Sequence, residues 1–212
     1  MRRPDVTATR ALIYIPIIHT QADMGALAPA VRRMTIQKLG RQAWTRNVDV
    51  IGRLWEEIHR TVEGLELTCE KVRLYQDGLP RCGREAEIVT DLAGAGSRNH
   101  QLLLMLMKKG ATLMGTESPE LLLEEYRLVQ QILAVKDPEA AARIEGRQQA
   151  RSRSLLARRD QYIALRVNES LRPGETGLLF LGMLHSLDSV LAEDIRVTYP
   201  IRRPPHARRR KA

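Results

Sequence analysis

The sequence predicts an α/β fold, with a mostly parallel sheet of about five strands flanked by helices in a single domain. Short apolar runs of strand length alternate with longer segments that have the periodicity of helices. Parallel strands need long crossover connections, and the spacing between these runs provides them. No segment repeats with a period of about 20 to 50 residues, which would indicate a solenoid or a propeller.

The chain is long enough to bury one substantial core. It has 212 residues, of which 43% are hydrophobic and only 4% aromatic, so aliphatic side chains must fill that core. We expect one domain over residues 11–201, a basic N-terminal segment over residues 1–10, and a disordered basic tail over residues 202–212.

Most of the positive charge lies at the two ends of the chain. Of the formal net charge of +9, residues 1–10 contribute +2 and residues 202–212 contribute +6, so residues 11–201 carry only +1. A basic tail binds phosphates or acidic surfaces without specificity, but the body has no basic excess that would follow a duplex. We therefore expect no nucleic-acid binding beyond nonspecific contacts of the tail.

The expected location is the cytoplasm, without a membrane anchor. Cys69 and Cys82 allow at most one disulfide and lack the spacing of a zinc site, which suits a reducing compartment. The apolar run over residues 11–18 is too short to span a bilayer, contains Pro16, and lacks the cleavage site of a signal peptide.

That apolar run is the first predicted strand. Pro16 has no N–H to donate to a central ladder, so we expect an irregularity there. His19 follows at the end of the strand, and residues 21–25 form a loop that carries Asp23.

A long helix is predicted next, from about Thr35 to Glu63. Its apolar residues are spaced by 4, 3, 4, 3 and 4 positions and so share one face: Trp44, Val48, Ile51, Trp55, Ile58 and Val62. A stripe of fewer than about three heptads is more typical of a helix packed on a sheet than of a coiled coil.

The second strand is predicted over residues 72–77, where the turn signal Asp77-Gly78-Leu79-Pro80 closes it. A short helix follows from about Glu85 to Leu92. The next segment, Gly94-Ala95-Gly96-Ser97, has two glycines that would suit a phosphate-binding loop, but a turn in which Ser97 caps the following helix is favoured.

That helix ends at Lys108-Lys109-Gly110, where cations and glycine are typical of a C-terminus. The third strand is predicted over residues 111–117. Ser118-Pro119-Glu120 has the composition of a helix start, so Glu117 lies at the carboxyl end of this strand.

The longest predicted helix begins at Asp137-Pro138-Glu139 and ends near Leu171, with an interruption near Gly146 left open. Between Arg143 and Arg159 it carries six arginines and one glutamate. This stretch fits an exposed, solvated face, and an anionic ligand site is the alternative.

The apolar run over residues 177–185 predicts a strand buried on both faces, with His185 at its carboxyl end. Gly182 weakens a strand, so we expect another group to approach there too closely for a Cβ. A short helix over residues 186–192 and a half-exposed edge strand over residues 195–201 complete the prediction.

Four polar side chains follow predicted strands: His19, Asp77, Glu117 and His185. Parallel strands present their carboxyl ends at one edge of the sheet, where ligands bind in open α/β folds. Two imidazoles and one or two carboxylates suit a divalent transition metal such as Zn, Mn, Fe or Co. Asp23 would join His19, His185 and Asp77 as a ligand, or orient His19 as a second-layer partner.

The sequence also resembles the TraB/Tiki-type superfamily, related to erythromycin esterase and ChaN-like haem-binding proteins. The resemblance rests on residues 159–164, which begin Arg159-Asp160, on residues 178–185, which end in Gly-x-x-His, and on residues 16–19 and 195–199. It implies a site made of His19, His185, Arg159 and an acid, in a superfamily with metal-dependent peptidase and esterase activities.

Two hypotheses follow. The first is a metal-assisted hydrolase acting on a small molecule or a peptide, with His19 and His185 as ligands or as a base pair. Asp77 or Glu117 would complete its site, and Arg159 would hold an anionic substrate or intermediate. The second is a noncatalytic protein that binds a small ligand in the same cleft, or an acidic partner through its basic tail.

Overall fold

A computed structural model describes residues 9–135 and 137–201 of the chain. Within them the sheet has five strands, all parallel, in the order β3-β2-β4-β1-β5. The strands are β1 (Arg10–Ile17), β2 (Val72–Gln76), β3 (Thr112–Met114), β4 (Thr176–Gly182) and β5 (Ile195–Thr198). The predicted single α/β domain with a mostly parallel sheet is confirmed, whereas most of residues 1–10 and the tail over 202–212 lie outside the described residues.

Helices cover the sheet on both faces. They are α1 (Ala28–Leu39), α2 (Arg41–Glu63), α3 (Glu85–Gly94), α4 (Arg98–Lys108), α5 (Pro119–Leu133) and α6 (Pro138–Ser170). Two short 3₁₀ segments, Gln21–Leu27 and Cys69–Lys71, connect β1 to α1 and α2 to β2. No described helix has both the length and the apolar character that a membrane crossing requires.

Strand β4 lies in the middle of the sheet and is buried on both faces, as predicted. Leu178 and Phe180 pack with α2, α3 and α4 in one core cluster. Leu179 and Leu181 face the opposite way and pack with α6 in a second cluster. The continuous apolar run is needed because each face of the strand meets a different layer of helices.

The irregularity expected at Pro16 is absent, since β1 stays in register with β4 from Ala11 through Ile17. The backbone N–H of Arg10 donates to Asp194 beside β5, whereas the N–H of Ala11 donates to Glu175 beside β4. Because the direction alternates, the nitrogen of Pro16 faces the side of β5, and that ladder already ends at Ile13. Proline therefore costs the sheet no hydrogen bond.

Several predicted boundaries were wrong. The helix predicted from Thr35 to Glu63 is two helices, α1 and α2, which meet at Gly40, where φ is 81° and a side chain would be strained. Residues 186–192 form turns around the carbonyl of Leu187 rather than a helix. Helix α6 has the predicted extent, and it passes without interruption through Gly146, where a break had been left open.

Candidate functional site

The predicted polar residues lie after the carboxyl ends of four neighbouring strands. Asp77 directly follows β2, His19 follows β1 by two residues, and Glu117 and His185 come three residues after β3 and β4. The structure brings Asp77, Glu117 and His185 together, with one potential ligand atom from each within 4.8 Å of the others. All three side chains are buried.

Arg159, on α6, joins the two carboxylates. Its Nε and Nη2 donate to the two oxygens of Glu117 at 2.7 and 2.6 Å, and Nη2 also donates to Oδ1 of Asp77 at 2.8 Å. Its Nη1 donates to Glu125 at 2.6 Å. Arg159 is only 4% exposed, and these carboxylates occupy most of its donors. Its contacts therefore favour holding the two acids in place over the expected role of binding an anionic substrate.

The other oxygen of Asp77, Oδ2, lies close to three nitrogen atoms. It accepts hydrogen bonds from Nε2 of His19 at 3.1 Å and from the backbone N–H of Gly182 at 2.8 Å. Nε2 of His185 lies 3.6 Å away. We refer to Asp77, Glu117, Arg159, His19 and His185 together as the Asp77 cluster.

Gly182 confirms the prediction of a close approach. A Cβ built on this residue would lie 2.7 Å from Oδ2 of Asp77, far inside a van der Waals contact. The glycine therefore lets the carboxylate reach the backbone N–H of β4, which is why a residue that weakens a strand occurs at the end of this one.

His185 is oriented by Asp160, the neighbour of Arg159 on α6. Nδ1 of His185 lies 2.6 Å from Oδ1 of Asp160, whose second oxygen accepts the backbone N–H of Ser186 at 3.2 Å. This carboxylate leaves Nε2 of His185 directed at Asp77. The Arg159-Asp160 motif contains Asp160, but the sequence alone assigned it no role in the site.

The protonation of the Asp77 cluster follows from burial and from neighbouring charges. Burial alone would raise the pKa of Asp77, but the hydrogen bond from His19 and the positive charges around it hold that pKa well below its usual range. Burial opposes protonation of His19, and the hydrogen bond and charge of Asp77 overcome this and raise the pKa of His19. Burial also raises the pKa of Glu117, with Asp77 adding to the rise and Arg159 opposing it.

Asp23 lies outside this cluster and binds other partners. Its Oδ2 accepts the backbone N–H and the hydroxyl of Thr20, at 2.5 and 2.8 Å. Its Oδ1 accepts the hydroxyl of Ser97 and lies 3.4 Å from Nδ1 of His100. We refer to Thr20, Asp23, Ser97 and His100 as the Asp23 cluster. Asp23 influences His19 through its charge, without a hydrogen bond to it.

The Asp23 cluster also settles the role of the Gly94–Ser97 segment. The hydroxyl of Ser97 accepts the backbone N–H of His100 and caps α4, as predicted. Thr20 and Asp23 form a reciprocal capping box at the start of the segment Gln21–Leu27. The cluster therefore fixes this segment against the N-terminus of α4.

An open pocket of about 720 Å³ adjoins the Asp77 cluster at His19. It lies between the segment Gln21–Leu27, helices α1 and α2, and the start of α4. The side chain of His19 is 31% exposed, whereas that of Asp77 is 4% exposed. His19 thus connects a buried carboxylate with a space that is large enough for a small molecule.

The Asp77 cluster suits two kinds of chemistry. Two carboxylates and one imidazole, with Asp160 orienting the imidazole, are ligands that Zn, Mn, Fe and Co accept. His19 and Asp23, both predicted as ligands, lie outside the group of Asp77, Glu117 and His185. The second possibility is general base catalysis, because a histidine hydrogen-bonded to a buried carboxylate has the arrangement of such a base.

Comparisons with known proteins add no relative from which function could be transferred. No protein-family model matches the chain, and no significant match is found among curated proteins or solved structures. The resemblance to the TraB/Tiki-type superfamily therefore stays a prediction. The function has to be argued from the residues of the site.

Proposed function

We propose that the chain is a hydrolase of the esterase or peptidase type, with His19 as its general base and Asp77 as the carboxylate that orients it. One observation carries the proposal: a single imidazole both lines the open pocket and hydrogen-bonds to a buried aspartate. The superfamily resemblance is consistent with this assignment, and it stays a proposal as well.

We assign Nδ1 of His19 as the nitrogen that acts as the base. An ionised Asp77 only accepts hydrogen bonds, so Nε2 of His19 carries the hydrogen between them. In the neutral ring, Nδ1 then holds the lone pair that removes a proton from water as the water attacks a carbonyl carbon. Asp77 stabilises the imidazolium that forms, and the imidazolium then gives this proton to the leaving alcohol or amine as the bond between that group and the carbonyl carbon breaks.

Arg159 holds Asp77 in the orientation that this step needs. It neutralises Glu117 and fixes Oδ1 of Asp77, so that Oδ2 stays directed at His19. The N–H of Gly182 holds the same oxygen from the opposite strand. Because these partners restrain the carboxylate on several sides, the imidazole is preorganised for the reaction.

A divalent transition metal is a second candidate, favoured by the close group of Asp77, Glu117 and His185. These residues would hold Zn, Mn, Fe or Co, and such an ion supplies Lewis acidity and lowers the pKa of a bound water. Arg159 already binds both carboxylates, so the ion would have to share them with a guanidinium.

The test is hydrolysis of p-nitrophenyl acetate and of a mixture of fluorogenic peptides by the purified chain. His19→Gln should lower the rate at least about a hundredfold, as loss of a general base does. His59→Gln is the matched control, since His59 lies outside the Asp77 cluster and its one hydrogen-bond partner among the described residues is the carbonyl of Arg98, at 3.2 Å. A protein that binds its ligand but hydrolyses neither substrate class would instead support the noncatalytic hypothesis.

Metal analysis of protein purified without an affinity tag separates the two chemistries. A metal site at Asp77, Glu117 and His185 predicts about one equivalent of a transition metal, removed by His185→Ala in a protein that stays folded. Hydrolysis that survives complete removal of metal, yet still needs His19, assigns the water activation to the imidazole alone.

We also propose the cytoplasm as the location, supported by two cysteines that are both free thiols.

A further inference from the structure

The apolar stripe of α2 is divided between the core and the open pocket. Trp55, Ile58 and Val62, in the C-terminal half, are buried in the core. In the N-terminal half, Trp44 and Val48 line the pocket, and Val48 is 46% exposed. The periodicity that packs one half of the helix therefore continues where no core covers it.

The uncovered half of the stripe forms a wall of a concave space. Ile51, half-buried against the core, continues the pocket lining from Val48 towards His19, and the buried Trp55 closes its inner end. The indole Nε1 of Trp55 donates to the carbonyl of Ile18 at 3.1 Å, which places this end of the stripe beside His19. From Trp44 to Trp55 the stripe is about 16 Å long at 1.5 Å per residue. A flexible apolar chain fits such a wall.

The charges around the pocket favour an anion. Arg98 is occupied, because it bonds the carbonyl of Gly52 at 3.1 Å and lies 3.6 Å from Glu56. Arg32 and Arg53 also line the pocket, are exposed, and have no ion pair within the described part of the chain. Among the described residues that line the pocket, Asp49 is the one further acid, so the arginines leave a positive excess.

We infer that this pocket binds an amphipathic anion, with an extended acyl-type chain along the stripe from Trp44 to Trp55 and an anionic group held by Arg32 or Arg53. The inference rests on the proposed hydrolase, since it gives the substrate class of the same site: an anionic ester or amide with a long apolar chain. The chain lies on α2 and brings the scissile bond to His19.

Intrinsic fluorescence measures this binding directly, because both tryptophans of the protein line the pocket. The probes are octanoate, hexanoate, octanol and octylamine, titrated into the full chain. Octanoate should bind about tenfold tighter than hexanoate, because two further methylene groups are buried. It should bind about fivefold tighter than octanol, because the carboxylate gains an ion pair, and octylamine should bind most weakly.

Exposed residues allow variants that stay folded. Val48→Asp should abolish octanoate binding, because it places a carboxylate in the middle of the stripe. The double variant Arg32→Gln and Arg53→Gln should remove the preference for octanoate over octanol while leaving octanol binding unchanged. Arg46→Gln is the matched control, since Arg46 is exposed on the same helix and does not line the pocket.

Equal affinity for octanoate and octanol, or tighter binding of octylamine, would overturn the inference. So would concentration-dependent dimerisation that Val48→Asp abolishes, because the stripe would then be covered by a second copy of the chain. Hydrolysis of p-nitrophenyl acetate distinguishes the two proposals, since its acetyl group is too short to use the stripe. If that activity needs His19 but octanoate does not bind, the substrate class is wrong and the hydrolase proposal stands.

Discussion

The side-chain carboxylates of Asp77 and Asp23 are both buried and both lie beside histidines, but their surroundings differ. Asp77 contacts charged or chargeable groups: Arg159, His19 and His185. Asp23 is held by a backbone N–H, by two hydroxyls and by His100, and both hydroxyls belong to helix caps. His19 of the Asp77 cluster lines the open pocket, whereas the histidine of the Asp23 cluster, His100, does not; of the Asp23 cluster, Thr20 lines it.

The difference shows that a histidine beside a buried carboxylate is not by itself a sign of catalysis. In the Asp23 cluster the carboxylate serves local structure, since it fixes the wall segment Gln21–Leu27 to α4. In the Asp77 cluster the carboxylate is restrained by distant elements and acts on an imidazole that a ligand can reach. Both clusters contain an aspartate beside a histidine, and they differ in whether a ligand can reach the histidine and in which elements restrain the carboxylate.

The largest expected effect is that of Asp77→Asn. The change removes a buried negative charge from between Arg159 and His19, and breaking a buried ion pair from one side costs about 4 kcal/mol. Urea denaturation of the variant and of the unmodified protein measures this loss. A variant as stable as the unmodified protein would mean that the Asp77 cluster does not hold the sheet edge together.

The next largest loss of stability is expected when a side chain is added at Gly182, beside Asp77. Gly182→Ala places a Cβ 2.7 Å from Oδ2 of Asp77, and the resulting overpacking should cost about 3 kcal/mol together with the hydrolytic activity. Gly146→Ala on α6 is the matched control, because no atom of the described residues lies within 4 Å of a Cβ built there and the helix should gain about 1 kcal/mol. Thermal unfolding of both variants gives the comparison, and an equal gain in both would contradict it.

A smaller effect is expected at the Asp23 cluster. Burial opposes its ionisation, but the hydrogen bonds from His100, Ser97 and Thr20 lower the pKa of Asp23 to about 2. Because the folded-state pKa lies below the unfolded value, this stabilisation of about 2 kcal/mol is complete above about pH 4 and is lost as the pH falls towards 2.

Asp23→Asn should therefore lose about that amount at neutral pH and show a flatter acid limb in its stability curve. Denaturation at a series of pH values measures both. Hydrolysis per folded molecule should fall far less than in His19→Gln, because Asp23 acts on His19 through its charge and not through a hydrogen bond. A loss of activity as large as that caused by His19→Gln would place Asp23 in the catalytic site after all.

Local patterns predicted the sheet and four of the site positions. Strand ends are marked by turn and cap residues, so His19, Asp77, Glu117 and His185 could be placed at one edge without knowing the packing. The contact between Arg159 and Asp77 joins residues 82 positions apart, and it depends on how α6 lies across the sheet. No local pattern contains that information.

Asp23 and α2 are two further cases in which a local sequence pattern did not predict the tertiary contacts. Asp23 is only four residues from His19, but the 3₁₀ segment that begins at Gln21 turns its carboxylate towards Ser97. The periodicity of α2 predicted a single apolar face, yet how much of that face the core covers depends on where α1 and the sheet end. The spacing of residues in the sequence predicts which face of its own helix or strand a side chain lies on. It does not predict which residue of another element that side chain contacts.

An NMR titration of the His19 ring tests most directly whether Asp77 makes His19 a base at the entrance to the pocket. We expect the pKa of His19 to lie above the ordinary 6.5 in the unmodified protein. In Asp77→Asn, burial acts without its opposing charge and should bring the pKa of His19 below 6.5. A pKa of His19 that is the same in both proteins would contradict the account.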